Sequence, residues 1–200
     1  MHLVDTIIAF GYIGVTLTIF AESGFLFGFF LPGDSLLVTL GLLAAQGYFN
    51  IGLLIMLCVP AAILGDNLGY ATGRTIGTKL FTREDSFLFK KKHLVAAQVF
   101  FTRHGPRAII LARFVPIVRT FTPIVAGAAG MHYPTFMKFN IIGGILWTAG
   151  LLIASYSLGR VVPGIGDYLS YIIIGIIVLS LIPIVKPIIT ALIARMKGRA

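Results

Sequence analysis

The chain alternates between long uncharged apolar runs and short breaks rich in glycine, proline and polar residues. Residues 6–21 form the first run, sixteen positions without a charge, slightly short of the ~20 needed to cross a bilayer as a helix. Gly24, Gly28, Pro32 and Gly33 follow directly, and residues of these types bend or unwind a helix. Unwound backbone at membrane depth is tolerated only where protein or water covers it. The pattern therefore predicts a re-entrant hairpin: one arm to about Glu22, a turn, and a return arm over 35–46, with Asp34 and Ser35 as its N-terminal cap. An aromatic and polar break at 47–50 leads to an apolar run at 51–65. That run continues as helix through Asp66 and Asn67 to Arg74, with Gly65, Gly69, Gly73 and Gly77 at the four-residue spacing that lets helices approach closely.

The second half repeats the plan. Residues 107–130 are interrupted by Pro116, Pro123, Gly127 and Gly130, too broken for a plain span and too apolar for a solvated loop, so a second re-entrant hairpin is predicted there. Residues 139–159 are twenty-one positions without a charge and predict a transmembrane helix containing Trp147. A turn at 160–167 precedes a last span at 168–185. Between the halves, residues 86–103 place Phe87, Leu94, Ala97 and Phe101 on one helical side, an amphipathic helix lying on the membrane surface.

Composition agrees with a membrane class. Of 200 residues, 58% are hydrophobic and 12% charged, against about 25% charged in soluble domains, and the mean hydropathy is +0.97. The net charge of +9 sits at the membrane edges rather than on a soluble face, so anionic lipid, not nucleic acid, is its expected partner. Eight of the sixteen Lys and Arg residues fall within 74–107, which places that connection in the cytoplasm; Lys186, Arg195, Lys197 and Arg199 place the C-terminus there too. The single Cys58 excludes an intrachain disulfide, and the first residues carry no basic segment of a cleaved leader. The fold class expected is an all-α, multi-pass integral membrane protein. It is one domain, with a first repeat at about 5–74, a basic connection at 75–107, a second repeat at 108–160 and a C-terminal helix at 168–190.

Charge inside such a chain needs a partner, because an ionised side chain at the bilayer centre costs at least ~2.5–3.5 kcal/mol. Glu22 and Asp34 flank the first break; Arg113 and Arg119 flank the second. The offset from Glu22 to Arg113 is 91 positions, and the following spans are offset by 88. With the connection cytoplasmic, the hairpins enter from opposite sides. This is an inverted repeat whose broken segments meet near the midplane, bringing the acidic and basic pairs together. Asp66, Asn67 and Arg74 form a secondary polar group, expected to hydrogen-bond a neighbouring helix.

Glu22-Ser-Gly, Leu31-Pro-Gly-Asp34, Gly65-Asp-Asn-Leu-Gly-Tyr70 with Gly73-Arg74, and Arg113-Phe-Val-Pro-Ile-Val-Arg119 with Pro123 and Gly127 together resemble the DedA family, the bacterial branch of the SNARE-associated or VTT membrane proteins. The resemblance covers nearly the whole chain. It implies two opposed re-entrant hairpins and movement of lipid across the bilayer. For bacterial members the implied substrate is undecaprenyl phosphate, returned from the outer to the inner leaflet, with some members tied to the proton motive force. The family's acidic pair falls on Glu22 and Asp34 and its arginine pair on Arg113 and Arg119.

The chemistry of these residue types agrees. A phosphate crossing hydrocarbon needs charge compensation, and guanidinium offers planar bidentate donors. Arg113 and Arg119 are the expected headgroup ligands. Glu22 and Asp34 would hold them when the site is empty, or carry protons, while Pro32, Gly33, Pro116, Pro123 and Gly127 shape the hairpins. The partners expected are an anionic polyprenyl phosphate or phospholipid, membrane lipids, and protons as a coupling ion. No cofactor and no metal site is expected, since no metal-ligand spacing, phosphate-cradling glycine loop or nucleophile motif occurs. Two other classes share parts of the pattern: an enzyme acting on lipid headgroups, for which only His104 beside the arginines offers chemistry, and a proton-coupled exporter of small cations, which needs only the acidic pair. A static salt-bridge cluster that pins the hairpins together is the remaining reading.

Overall fold

The computed structural model describes residues 2–25, 33–80 and 105–162, together with Tyr171 and Gly175 as single helical positions. Among the described residues every regular element is a helix: α1 (His2–Gly24), α2 (Gly33–Ala45), α3 (Ile51–Leu80), α4 (Ala108–Ala112), α5 (Pro116–Ala128), α6 (Tyr133–Gly144) and α7 (Gly150–Val161), the last two joined by a π-helical turn at Ile145–Ala149. The turn holding Pro32, the basic amphipathic helix expected at 86–103, the last span expected at 168–185 and the cytoplasmic C-terminus lie outside the described residues.

Among the described residues two continuous helices are long and apolar enough to cross a bilayer. One runs Ile51–Ile76 within α3, and the other runs Tyr133–Val161 through α6, the π turn and α7. The apolar run at 51–65 does continue past Asp66 and Asn67 as one helix, carrying Pro60 inside it on an exposed face. The second span begins at Tyr133, six positions before the charge-free run at 139. Pro134 sits in its first turn, where a missing N–H costs no helix bond. By contrast α2 and α5 have 13 residues each, roughly 20 Å at 1.5 Å per residue, short of a ~30 Å hydrocarbon core.

Packing crosses between the halves of the chain. The short α5 lies along the long α3, and the short α2 lies along α7, while α1 packs on α3 and α4 on α6. Glycines set the spacing. A Cβ on Gly73 would stand 1.9 Å from the Ile124 carbonyl oxygen, and one on Gly127 would stand 2.1 Å from that of Tyr70, so α3 and α5 touch backbone to backbone. On the other side, a Cβ on Gly41 would meet Ser155 Oγ at 1.9 Å, and one on Gly159 would meet the Ala45 methyl at 2.6 Å. A core of Ile19, Leu37, Leu40, Leu54, Cys58 and Leu152 ties α1, α2, α3 and α7 together. A second cluster around Tyr70, Ile109, Ala126 and Phe136 ties α3, α4, α5 and α6.

The polarity is inverted relative to a water-soluble bundle. Ile13, Leu17, Met56, Leu64, Leu146 and Ile153 point outward, while Glu22, Asp66, Arg113, Asn140 and Thr148 are buried. Such an exterior is matched to lipid tails, and such an interior to a functional site.

The backbone contact between α3 and α5 generates a prediction. Gly127→Ala, which drives a methyl into the Tyr70 carbonyl, should destabilise the protein by about 1–3 kcal/mol. Gly150→Ala, where nothing lies within 4 Å, should leave stability unchanged or slightly raised. Thermal unfolding of the two variants in the same detergent, followed by circular dichroism, checks both.

Candidate functional site

Three elements deliver the first charge cluster. The α1 helix ends at Gly24, which sets Glu22 in its last turn; α2 begins at Gly33, which sets Asp34 in its first turn; α5 begins at Pro116, which sets Arg119 one turn in. Before α5 the chain is extended at Val115 (φ −118°, ψ 107°), and Pro116 then opens a new helix. Arg119 Nη2 lies 2.5 Å from Glu22 Oε1, and Arg119 Nη1 donates to Asp34 Oδ1. The same Asp34 oxygen accepts from Trp147 Nε1 at 3.0 Å, and the indole packs edge-on against Phe114. Glu22 lies so close to the start of α2 that a Cβ on Gly33 would stand 1.4 Å from its Oε2, so a side chain at residue 33 would displace the carboxylate from its place. The Asp34 carboxylate is therefore not simply the α2 cap expected from its position: it joins α2 to α5 and to the π turn.

The second cluster lies deeper. Arg113, in the turn between α4 and α5, reaches Asp66 on α3, and its Nη2 also lies 2.5 Å from Asn140 Oδ1 on α6. Asn140 Nδ2 then donates to the Ile63 carbonyl at 3.1 Å, so the guanidinium is held by a chain that closes back on α3. Gly143 makes room for it, since a Cβ there would stand 2.9 Å from Arg113 Cδ. Arg119 is near enough to Asp66 for their charges to interact, so the clusters adjoin. With all groups ionised, the three carboxylates outnumber the two guanidiniums by one.

The structure thus divides the quartet expected from sequence. Glu22, Asp34 and Arg119 meet, whereas Arg113 pairs with Asp66, a residue assigned to the secondary polar group. The remainder of that group separates further. Asn67 Nδ2 lies 3.4 Å from Met137 Sδ, and Arg74, exposed at the far end of α3, has Nη1 3.3 Å from the Tyr70 hydroxyl. Pro123 and Gly127 lie in the α5 face against α3. Asn140 and Trp147 escaped the sequence reading because both fall in the stretch read as a charge-free span. A neutral amide and the single tryptophan of the chain, set within an otherwise apolar run, were the available signals. Among the described residues no three His, Cys, Asp or Glu side chains converge as a metal-ion site.

The accessible edge is defined by Asp34, since the Glu22 side chain is itself buried. The Asp34 side chain is 32% exposed and that of Arg119 11%, whereas Arg113 and Asp66 are closed off at 7% and 8%. Arg119 is therefore the more accessible of the two guanidiniums. The buried Arg113–Asp66 pair acts as a strut, and removing one partner strands a charge. Asp66→Ala should destabilise by ~3–5 kcal/mol, and the double variant Asp66→Ala/Arg113→Met should recover a large part of that loss. Unfolding midpoints of the single and double variants check this.

Residues 31–157 match the VTT domain. The chain is 48% identical over 165 residues to an uncharacterized membrane protein of Mycobacterium leprae, covering 82% of this chain and 73% of that one. It is 41% identical over 188 residues to protein DedA of Escherichia coli K12, covering 92% and 85%. Inner membrane protein YqjA of the same strain is 37% identical over 150 residues, covering 74% and 68%. No solved structure matches the chain. A helical bundle with a lipid-matched exterior, charge pairs joining elements from both halves, and relatives of this closeness lead to one conclusion: the chain is a membrane protein of the DedA family, built on the VTT domain.

Proposed function

We propose that the protein is a transporter that carries a polyprenyl phosphate, with undecaprenyl phosphate as the expected lipid, across a bacterial cytoplasmic membrane. In this reading Arg119 is the principal headgroup ligand. The α1–α2 and α4–α5 pairs act as opposed re-entrant hairpins of an inverted repeat, each leaning on the long span of the other half. One observation carries the reading: Arg119 lies between two carboxylates, at the edge where Asp34 is open. A guanidinium so held can exchange a carboxylate for a phosphate without ever being unpaired.

The charge balance supplies the coupling. An anion entering a site where carboxylates already outnumber guanidiniums adds repulsion unless a carboxylate is protonated. A proton on Asp34 or Glu22 releases Arg119 to the headgroup, and loss of that proton returns Arg119 to the carboxylate and expels the lipid. An acidic outer face therefore favours loading there, and a more alkaline cytoplasm favours release, which gives inward movement of proton and phosphate together. The same excess of carboxylates, with Glu22 Oε2 left without a hydrogen-bond partner, favours as a second reading the proton-coupled export of a small cation. No hydrolytic step is part of either reading.

Leaflet-resolved transport of undecaprenyl phosphate in proteoliposomes separates the two. Wild-type protein should accelerate translocation, and acidifying the loading face should accelerate it further. Arg119→Ala should reduce the rate at least tenfold. Asp34→Asn, which mimics the protonated acid, should flatten the pH dependence while retaining lipid binding. Translocation indifferent to Arg119→Ala, or proton-driven cation flux with the lipid stationary, would overturn the lipid reading, and phosphate release from the lipid would replace it with an enzymatic one.

A further inference from the structure

A cavity of about 500 Å³ opens beside the last turns of α3, away from the charge clusters. Its size falls within the ~300–1,000 Å³ of ordinary small-ligand pockets. Asn67, Leu68, Ala71 and Arg74 line it from one face of α3, and Tyr133 closes it from the start of α6. The wall is mainly apolar, with Arg74, Thr75, the tyrosine hydroxyls and the Asn67 amide as its polar groups; Asn67 Oδ1 is buried and without a hydrogen-bond partner.

Arg74 is positioned rather than loose. The Tyr70 hydroxyl donates to the Met131 carbonyl, and its oxygen lies 3.3 Å from Arg74 Nη1, while the Tyr70 ring stacks on Phe136 at 4.5 Å. The guanidinium is thereby tethered at one nitrogen to a tyrosine that is itself fixed between α3 and α6. Among the described residues no carboxylate pairs with it. Arg74 also lies two residues before the end of the apolar span Ile51–Ile76, and a basic residue near the end of such a span is suited to meet lipid headgroups.

We propose that this cavity is a binding site for one anionic glycerophospholipid of the adjoining leaflet, its phosphate on Arg74 and an acyl chain along Leu68 and Ala71. The occupant follows from complementarity: an oriented guanidinium with no carboxylate partner among the described residues, near the end of an apolar span and beside an apolar cleft, fits a molecule with a phosphate at one end and hydrocarbon at the other. A soluble phosphate would leave the cleft uncovered, and an apolar ligand would leave Arg74 unmatched. The site goes beyond the transport reading and does not depend on it.

Native mass spectrometry of the purified full chain in detergent tests the site, with phosphatidylglycerol and phosphatidylcholine as probes. Wild-type protein should retain one phosphatidylglycerol at least tenfold more tightly than phosphatidylcholine, and millimolar inorganic phosphate should not displace it. Arg74→Gln removes the charge from an exposed position, and Ala71→Phe fills the cleft while leaving Arg74 in place; each should weaken the phosphatidylglycerol adduct about tenfold. Unchanged binding in Ala71→Phe, unchanged binding in Arg74→Gln, equal retention of the two lipids, or displacement by inorganic phosphate would each overturn the proposal.

Discussion

An ionised side chain enclosed in a lipid-facing bundle persists only beside a counter-charge, and this requirement dictates how the helices of this protein meet. Arg119 on α5 can be buried because Glu22 and Asp34 come to it from α1 and α2; Arg113 can be buried because Asp66 and Asn140 come to it from α3 and α6. Helices α1, α2, α3, α5, α6 and α7 each contribute a polar group, a close glycine contact, or both. Association of helices in lipid gains little from the hydrophobic effect, since tails and side chains are equally apolar, so these polar links and close packing carry the specificity of the fold.

The glycine contacts complete the constraint. Gly33 admits Glu22 to the start of α2, Gly143 admits Arg113 between α4 and α6, and Gly73 and Gly127 bring α3 and α5 to backbone contact. Short helices lying on the long span of the opposite half give two similar corners, with the charge clusters between them. The π turn at Ile145–Ala149 adds a local shift of register, which sets Trp147 toward Asp34 while Leu152 and Ser155 continue to face α2. The two arginines accordingly differ in kind: Arg113 is closed within a loop of hydrogen bonds that returns to α3, and Arg119 remains at an edge.

Much of this architecture was legible in the sequence because membrane burial leaves a coarse signature. Uncharged runs marked both long spans, glycine and proline marked the breaks, and isolated charges marked the interior. Four-residue glycine spacing in 65–73 identified the α3 face that α1 and α5 approach. What could not be read was pairing. Glu22, Asp34, Arg113 and Arg119 look equivalent along the chain, yet the few ångströms between one turn of α5 and the turn before it assign Arg113 to Asp66. Neutral polar residues were also silent, because Asn140 and Trp147 carry no charge and their importance arises only from what α3 and α2 place opposite them. The start of the second span at Tyr133 was missed for a related reason: Lys138 is exposed on the helix and interrupts the charge-free run without interrupting the helix itself.

The claim that Arg119 exchanges carboxylate for phosphate is tested most directly by phosphorus-to-nitrogen dipolar recoupling NMR, on undecaprenyl phosphate bound to protein labelled with nitrogen-15 in its arginine guanidiniums. The account predicts a phosphorus–guanidinium contact in the wild-type complex that disappears in Arg119→Lys. A bound lipid whose phosphorus contacts no guanidinium, or a contact that survives Arg119→Lys unchanged, would contradict it.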